Sequence, residues 1–225
     1  MTHKTIVSSL ASVLLRAPLL ALLLVGLLSS GLVLAATGDP RQCPRAVGQA
    51  IDAADVAAFT RLVDVDGIVE EGVILFLAEM QKPENARQLP PMLAMMFTRA
   101  ASGDDMGQSI RTMLIGETKA FILNGVSSGA FAGRAPTGAT QQGLLAPLFA
   151  EASRGRKEIR SIGQPTAIGE GLWHVPFVVH DGGNGHDYPV VGLVSRTDSG
   201  LRLTAIDNLA ELFRRIAAES QSIQQ

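Results

Sequence analysis

Apolar side chains follow three regimes along this chain. From Ala17 to Ala36 no residue is charged and Pro18 to Leu28 is almost wholly apolar; from Val56 to Phe149 apolar positions recur every three or four residues; from Arg156 to Ile206 they alternate with polar ones. The first regime predicts a segment that enters lipid, the second a run of helices, the third a run of strands.

Lys4 and Arg16 precede the uncharged run, an arrangement that keeps the N-terminus inside by the positive-inside rule. Ser29, Ser30 and Gly31 then weaken the helix, and Val33-Leu34-Ala35 offers tolerated side chains at the −3 and −1 positions of a signal-peptidase site. Cleavage after Ala35 competes with an uncleaved anchor, because about twenty residues of helix reach about 30 Å. Both readings place the remainder in the periplasm or on the outer face of the inner membrane of a bacterium. Cys43 follows Pro40-Arg41-Gln42 and lacks the small apolar context of a lipoprotein cysteine.

Residues 1–35 are therefore expected to be a signal peptide or membrane anchor, 36–43 a linker, 44–220 one domain and 221–225 a frayed tail. Asp52 or Asp55 is expected to cap Val56–Val63, and Asp66 a helix from Gly67 to Lys82 that Pro83 stops. In that helix Val69, Val73, Phe76, Leu77 and Met80 keep helical spacing, while Ile74 and Leu75 widen the apolar arc so far that most sides need cover. Pro90-Pro91 opens a helix to about Ala101, and Ser102 to Asp105 caps a longer one that Asn124-Gly125 is expected to end. A Gly/Ser/Pro-rich loop over roughly 126–138 and a helix through Leu144, Leu145, Leu148 and Phe149 complete the helical half.

Arg156–Gly163, Leu172–His180, Tyr188–Arg196 and Leu201–Ile206 read as strands, with Trp173, Val175, Phe177 and Val179 on one face. The turns at Asp181–Gly185 and Asp198–Gly200 are too short for anything but antiparallel neighbours. Asn208 with Glu211 reads as a capping box for a last helix carrying Leu209, Leu212, Phe213, Ile216 and Ala217 on one face. The expected class is α+β: several helices packed on a curved antiparallel sheet of about four strands, closed by a C-terminal helix.

That order of elements resembles the cystatin-like cone of nuclear-transport-factor-two-like domains. Ala46-Val-Gly-Gln-Ala50, Ala53 through Asp64 and Leu201-Arg-Leu-Thr-Ala-Ile206 are similar to segments of uncharacterised bacterial envelope domains of that kind. The likeness spans about 44–218 and implies a fold rather than an activity. The closing helix and the methionine-rich insert near residue 90 depart from a minimal cone.

Charge and cysteine content narrow the partners. Of 19 Lys+Arg, Lys4 and Arg16 lie in the leader, which leaves 17 against 21 Asp+Glu and a net charge of −4. Nucleic acid is not expected as a partner, since phosphate binding needs concentrated cations. A single cysteine excludes an intramolecular disulfide and a multi-thiolate metal site. No cofactor is expected.

Several residue sets carry candidate chemistry. Six of the seven methionines lie between Met80 and Met113, and Met92, Met95 and Met96 have spacing that places thioethers together. Soft sulfur suits Cu(I), but methionine is also a pliable core filler, so Phe76, Met80, Met92, Met95, Met96 and Phe97 are read as lining an apolar ligand cleft. His180 and His186 flank the glycine-rich turn beside Asp181 and Asp187 as a candidate metal pair, whereas His174 sits mid-strand with no acid near it in sequence. Gly125-Val-Ser127-Ser-Gly129 matches G-x-S-x-G, yet a helix precedes it where a nucleophile elbow needs a strand.

Arg154, Arg156, Lys157 and Arg160 form a basic cluster that fits anionic headgroups or simple solvation. Asp64, Asp66, Glu70 and Glu71 are acids of a helix start. The function expected is a non-enzymatic envelope domain that binds an apolar small molecule or another protein. The alternative is a small-molecule isomerase or hydrolase with its site in the cone, using Asp64 or the histidine pair.

Overall fold

The computed structural model describes residues 38–86, 91–135 and 155–222. The segment 1–35 expected as signal peptide or anchor, the helix expected through Leu144–Phe149, Arg154 and the last three residues lie outside them.

Helix α1 (Gln42–Ala53) buries Cys43, Pro44, Val47 and Ala50 along one side. It begins inside the stretch 36–43 expected as linker, and Cys43 is only 2% exposed. Ala54, at φ 57°, ends α1 in the left-handed conformation, and its N–H closes on the carbonyls of Ala50 and Ile51. Of the two candidates, Asp55 rather than Asp52 caps α2 (Val56–Leu62), accepting from the Ala58 N–H at 2.8 Å.

Helix α3 (Val65–Met80) starts two residues earlier than expected, and Asp66 is not its cap: it lies in the first turn, paired with Lys119. Val65, Val69, Val73 and Leu77 are buried, while Ile74 stays 48% exposed, so the broad apolar arc is covered on most sides but not all. A one-turn helix, α4 (Pro83–Ala86), follows, and Asn85 is buried with its amide donating to Glu79. Helix α5 (Pro91–Ala100) buries Leu93, Phe97 and Ala100 against α3 and α6.

Helix α6 (Asp105–Ser127) is capped by Asp104, which accepts from the Gly107 N–H at 2.7 Å. It does not end at Asn124-Gly125. The helix runs on to Ser127, and Gly129 takes the left-handed turn at φ 73°. A tertiary contact explains Gly125 instead: a Cβ there would meet the Phe131 ring at 2.3 Å, so the bare helix backbone is the seat of that aromatic. Ala130–Ala132 forms a 3₁₀ turn.

The sheet comprises β1 (Lys157–Arg160), β2 (Thr166–Gly169), β3 (Leu172–Asp181), β4 (His186–Thr197) and β5 (Gly200–Ile206). Its order is β1-β3-β4-β5, with β2 pairing the other end of β3, and all neighbours are antiparallel. β2 was not expected; the second half of the stretch after β1 turns back onto β3 rather than forming loop. Irregular register in β2 and β4–β5 accompanies the curl of the sheet.

Trp173, Val175, Phe177 and Val179 share the face that meets the helices, with Val190 and Val194 opposite them on β4. Gly192 lies between; a Cβ there would come within 2.6 Å of Leu203 and 2.9 Å of Phe177. The helical half grips the sheet at β5, where Val63 bridges Leu203 and the Asp64 N–H donates to its carbonyl.

Helix α7 (Leu209–Ser222) packs on α3 and β4, with Leu212 against Phe177 and Val190. Asn208 does not cap it with its side chain. Its Oδ1 accepts from the Val191 N–H and its Nδ2 donates to the Pro189 carbonyl, both at 2.8 Å, so the amide continues the β4 ladder past the end of β5.

Candidate functional site

Amphipathicity of α1 creates the site. The side opposite its buried stripe carries Arg45, Gln49 and Asp52, and Gly48 lies between, where a Cβ would sit 3.6 Å from Ile159 of β1. With no side chain at 48, helix and strand edge approach closely at one point and diverge around it. The result is a groove of about 370 Å³ walled by α1 and by residues 156–162.

Charge lines the groove. Arg156 holds both Asp52 oxygens, at 2.9 and 3.0 Å; Arg160 holds Glu158 at 2.5 and 3.0 Å; Lys157 pairs with Asp181, its direct partner across the β1–β3 ladder. Arg134 adds a hydrogen bond to the Asp52 carbonyl at the end of α1. The hydrogen bond from Arg160 holds the Glu158 carboxyl below its ordinary range, with further help from the charges of Arg160, Arg156 and His180. Water screens the exposed pairs, so they add little to stability. Among the described residues Arg45 forms no ion pair.

The six residues expected to line an apolar cleft divide. Phe97 is 1% exposed, Phe76 meets it edge to face at 5.3 Å and also approaches Phe213 at 6.2 Å, and Met80 and Met96 pack against the core. Met92 and Met95, at 68% and 70% exposed, point away from that packing. Met96 thus lies at the margin of the buried stripe of α5, which runs through Leu93, Phe97 and Ala100, while Met92 and Met95 lie outside it. None of the six lines the groove.

Register separates the two histidines. Val179 faces Tyr188, His180 faces Asp187 and Asp181 faces His186, and opposed residues share a face while neighbours alternate. His180 and His186 therefore project to opposite faces of the sheet. His180 Nδ1 lies 2.7 Å from Asp187 Oδ1, and His186 packs its ring near Tyr188. No group of three metal-ligating side chains occurs among the described residues. His174, with no acid near it in sequence, meets one in space: Asp207, just past β5, contacts its Nε2.

Ser127 is exposed on the last turn of α6 and donates to the Asn124 carbonyl at 3.3 Å, the bond of an ordinary helical serine. Asp64 is held by Arg202 at 3.3 Å, and Glu70 and Glu71 are exposed. Within the basic cluster, Arg156, Lys157 and Arg160 reach the groove. Sequence reasoning missed Arg45, Gln49 and Asp52; the signal was a glycine facing outward between charged residues on an amphipathic helix.

No protein family, curated protein or solved structure matches the chain.

Proposed function

We propose that this chain is an exported binding domain, periplasmic or held at the outer face of the inner membrane by its N-terminal apolar segment, and that its ligand or protein partner docks in the α1–β1 groove. The observation that carries this reading is the groove itself: a concave surface with a charged rim over Ile159 and Ile162. The apolar cleft inferred from the methionines gives no comparable support, since Phe76, Met80, Met96 and Phe97 fill their space with one another and with the core. The likeness to cystatin-like cones is in keeping with helices on one face of a curled antiparallel sheet.

Amide exchange of the full chain, with and without the low-molecular-mass fraction of its own envelope, tests the reading. Protection confined to residues 45–52 and 156–162 is the expected result. Protection at the outer side of α5 instead would return the site to the exposed methionines. Unchanged exchange everywhere would remove the binding role.

A further inference from the structure

Backbone hydrogen bonds in the sheet alternate in direction along each strand. The Pro176 carbonyl accepts from the Gly163 N–H, and the Gly182 N–H donates to the Arg156 carbonyl, so the even-numbered residues of β3 turn their backbone groups toward β1. Asp181, an odd-numbered one, accepts from the Gly185 N–H on the β4 side instead. In β1 the positions bonded to β3 are therefore Glu158 and Arg160, in step with Arg156. Ile159 lies between them, opposite Val179, and its N–H and carbonyl point out of the sheet. β1 ends the strand order on that side, and among the described residues no hydrogen bond meets either group. This edge looks into the groove: every residue from Arg156 to Ile162 lines it, whichever face its side chain takes, and α1 is the opposite wall.

We infer that the groove takes an extended polypeptide segment, which adds to the edge of β1 as a further strand and hydrogen-bonds to Ile159; this rests on the groove being the binding surface. Strand addition draws affinity from main-chain hydrogen bonds and selectivity from alternate side chains. An open edge invites such pairing, and α1 decides the guest, because a helix standing beside the edge leaves width for one strand and bars a second sheet. The four residues of β1 set the length of the paired stretch, at about 3.3 Å each, and Ser161, at φ 50°, turns the chain out of line and ends it. Ile159 shares with Val179 the face that meets the helices, while Glu158 and Arg160 lie on the other. The guest's side chains alternate in step with these. Those turned inward meet Ile159 and the bare backbone of Gly48, which suits an apolar residue, and those turned outward stand beside Glu158 and Arg160, which suits polar ones.

The test pans phage-displayed random hexapeptides on the full chain in a non-ionic detergent, then synthesises the enriched sequences with and without single N-methyl groups on their backbones. Saturable binding is expected, weakened about fivefold or more by N-methylation at one set of alternate positions and little at the other, since only every second N–H faces β1. The Ile159 amide, quick to exchange in the free chain, should become protected in the complex. Ile159→Pro removes the outward donor without breaking the β1–β3 ladder and is expected to abolish binding, whereas Ile159→Val binds as the parent does. The N-methyl series uses the parent chain and decides the matter if Ile159→Pro does not fold. Peptides that shift residues 45–52 and 156–162 yet ignore N-methylation at every position would overturn strand addition while leaving the groove as a binding surface. An absence of enriched peptides, binding elsewhere, or an Ile159 amide already protected in the free chain would overturn it too. So would a dimer that Ile159→Pro breaks, which would assign the edge to a second copy.

Discussion

Two seams between elements, α3 against α5 and α1 against β1, are made of opposite materials. At the first, Phe76 and Phe97 interlock edge to face and Leu77, Leu93 and Met96 fill what remains. At the second, a glycine backbone touches one isoleucine and charged side chains stand around the contact. The richer apolar composition packs, because flexible and aromatic side chains adapt to one another. The poorer one leaves the hollow, since a missing side chain and mutually solvated charges do not close over each other. Apolar excess in a sequence is thus a signal of packing before it is a signal of a pocket.

The contrast is broken most directly at Phe97. Phe97→Ala is expected to cost about 3–5 kcal/mol through lost burial and the cavity it leaves, whereas Met95→Ser on the exposed side of the same helix should stay within about 0.5 kcal/mol. Urea midpoints of the two variants decide it; similar costs would mean that Met95 is covered. Next in size is Gly192→Ala. Its new methyl would press on Leu203 and Phe177, and chemical denaturation should show a loss of about 1–2 kcal/mol.

Cys43 sharpens the comparison from underneath α1. Burial pushes its thiol up from 9.0 to about 11, so the folded state holds the proton more tightly than the unfolded chain does. The stabilisation is fully present below pH 9 and is lost as pH rises toward 11, by no more than roughly 1.4 kcal/mol per unit. Cys43→Ala should flatten that alkaline decline relative to the parent, and iodoacetamide at pH 8 should label the thiol only after urea is added. Rapid labelling of the folded chain would show that the underside of α1 opens. The smallest effect is expected at Gly48→Ala, where a Cβ makes ordinary contact and a helix interior gains rigidity: about 0.5–1 kcal/mol of stabilisation by thermal melting. A loss there would mean that α1 and β1 are already in tight contact.

Local grammar read along the chain placed most elements. Periodicity located α3, α5, α6, β3, β4, β5 and α7, and short polar side chains before apolar runs narrowed the caps to Asp52 or Asp55 and to Ser102–Asp105, because a helix start or a tight turn is decided within four residues. The same grammar failed where two elements compete for one side chain. Asn208 has every mark of a cap, yet a strand end with an unpaired N–H and carbonyl lies within reach of its amide. Asn124-Gly125 has the mark of a helix end, yet Phe131 needs the bare backbone and the helix continues.

The sequence by itself determined an uncharged apolar N-terminal segment, a helical half followed by an antiparallel half, and a supply of cations near residue 156. Only the tertiary structure decided which of those cations stand beside α1, that His180 and His186 part company across the sheet, and that two of the methionines face outward while their neighbours fill the core. The physical reason is range. Helix and strand formation depend on neighbours a turn or two away, whereas register, burial and the presence of a hollow depend on distances between residues a hundred positions apart, such as Asp52 and Arg156.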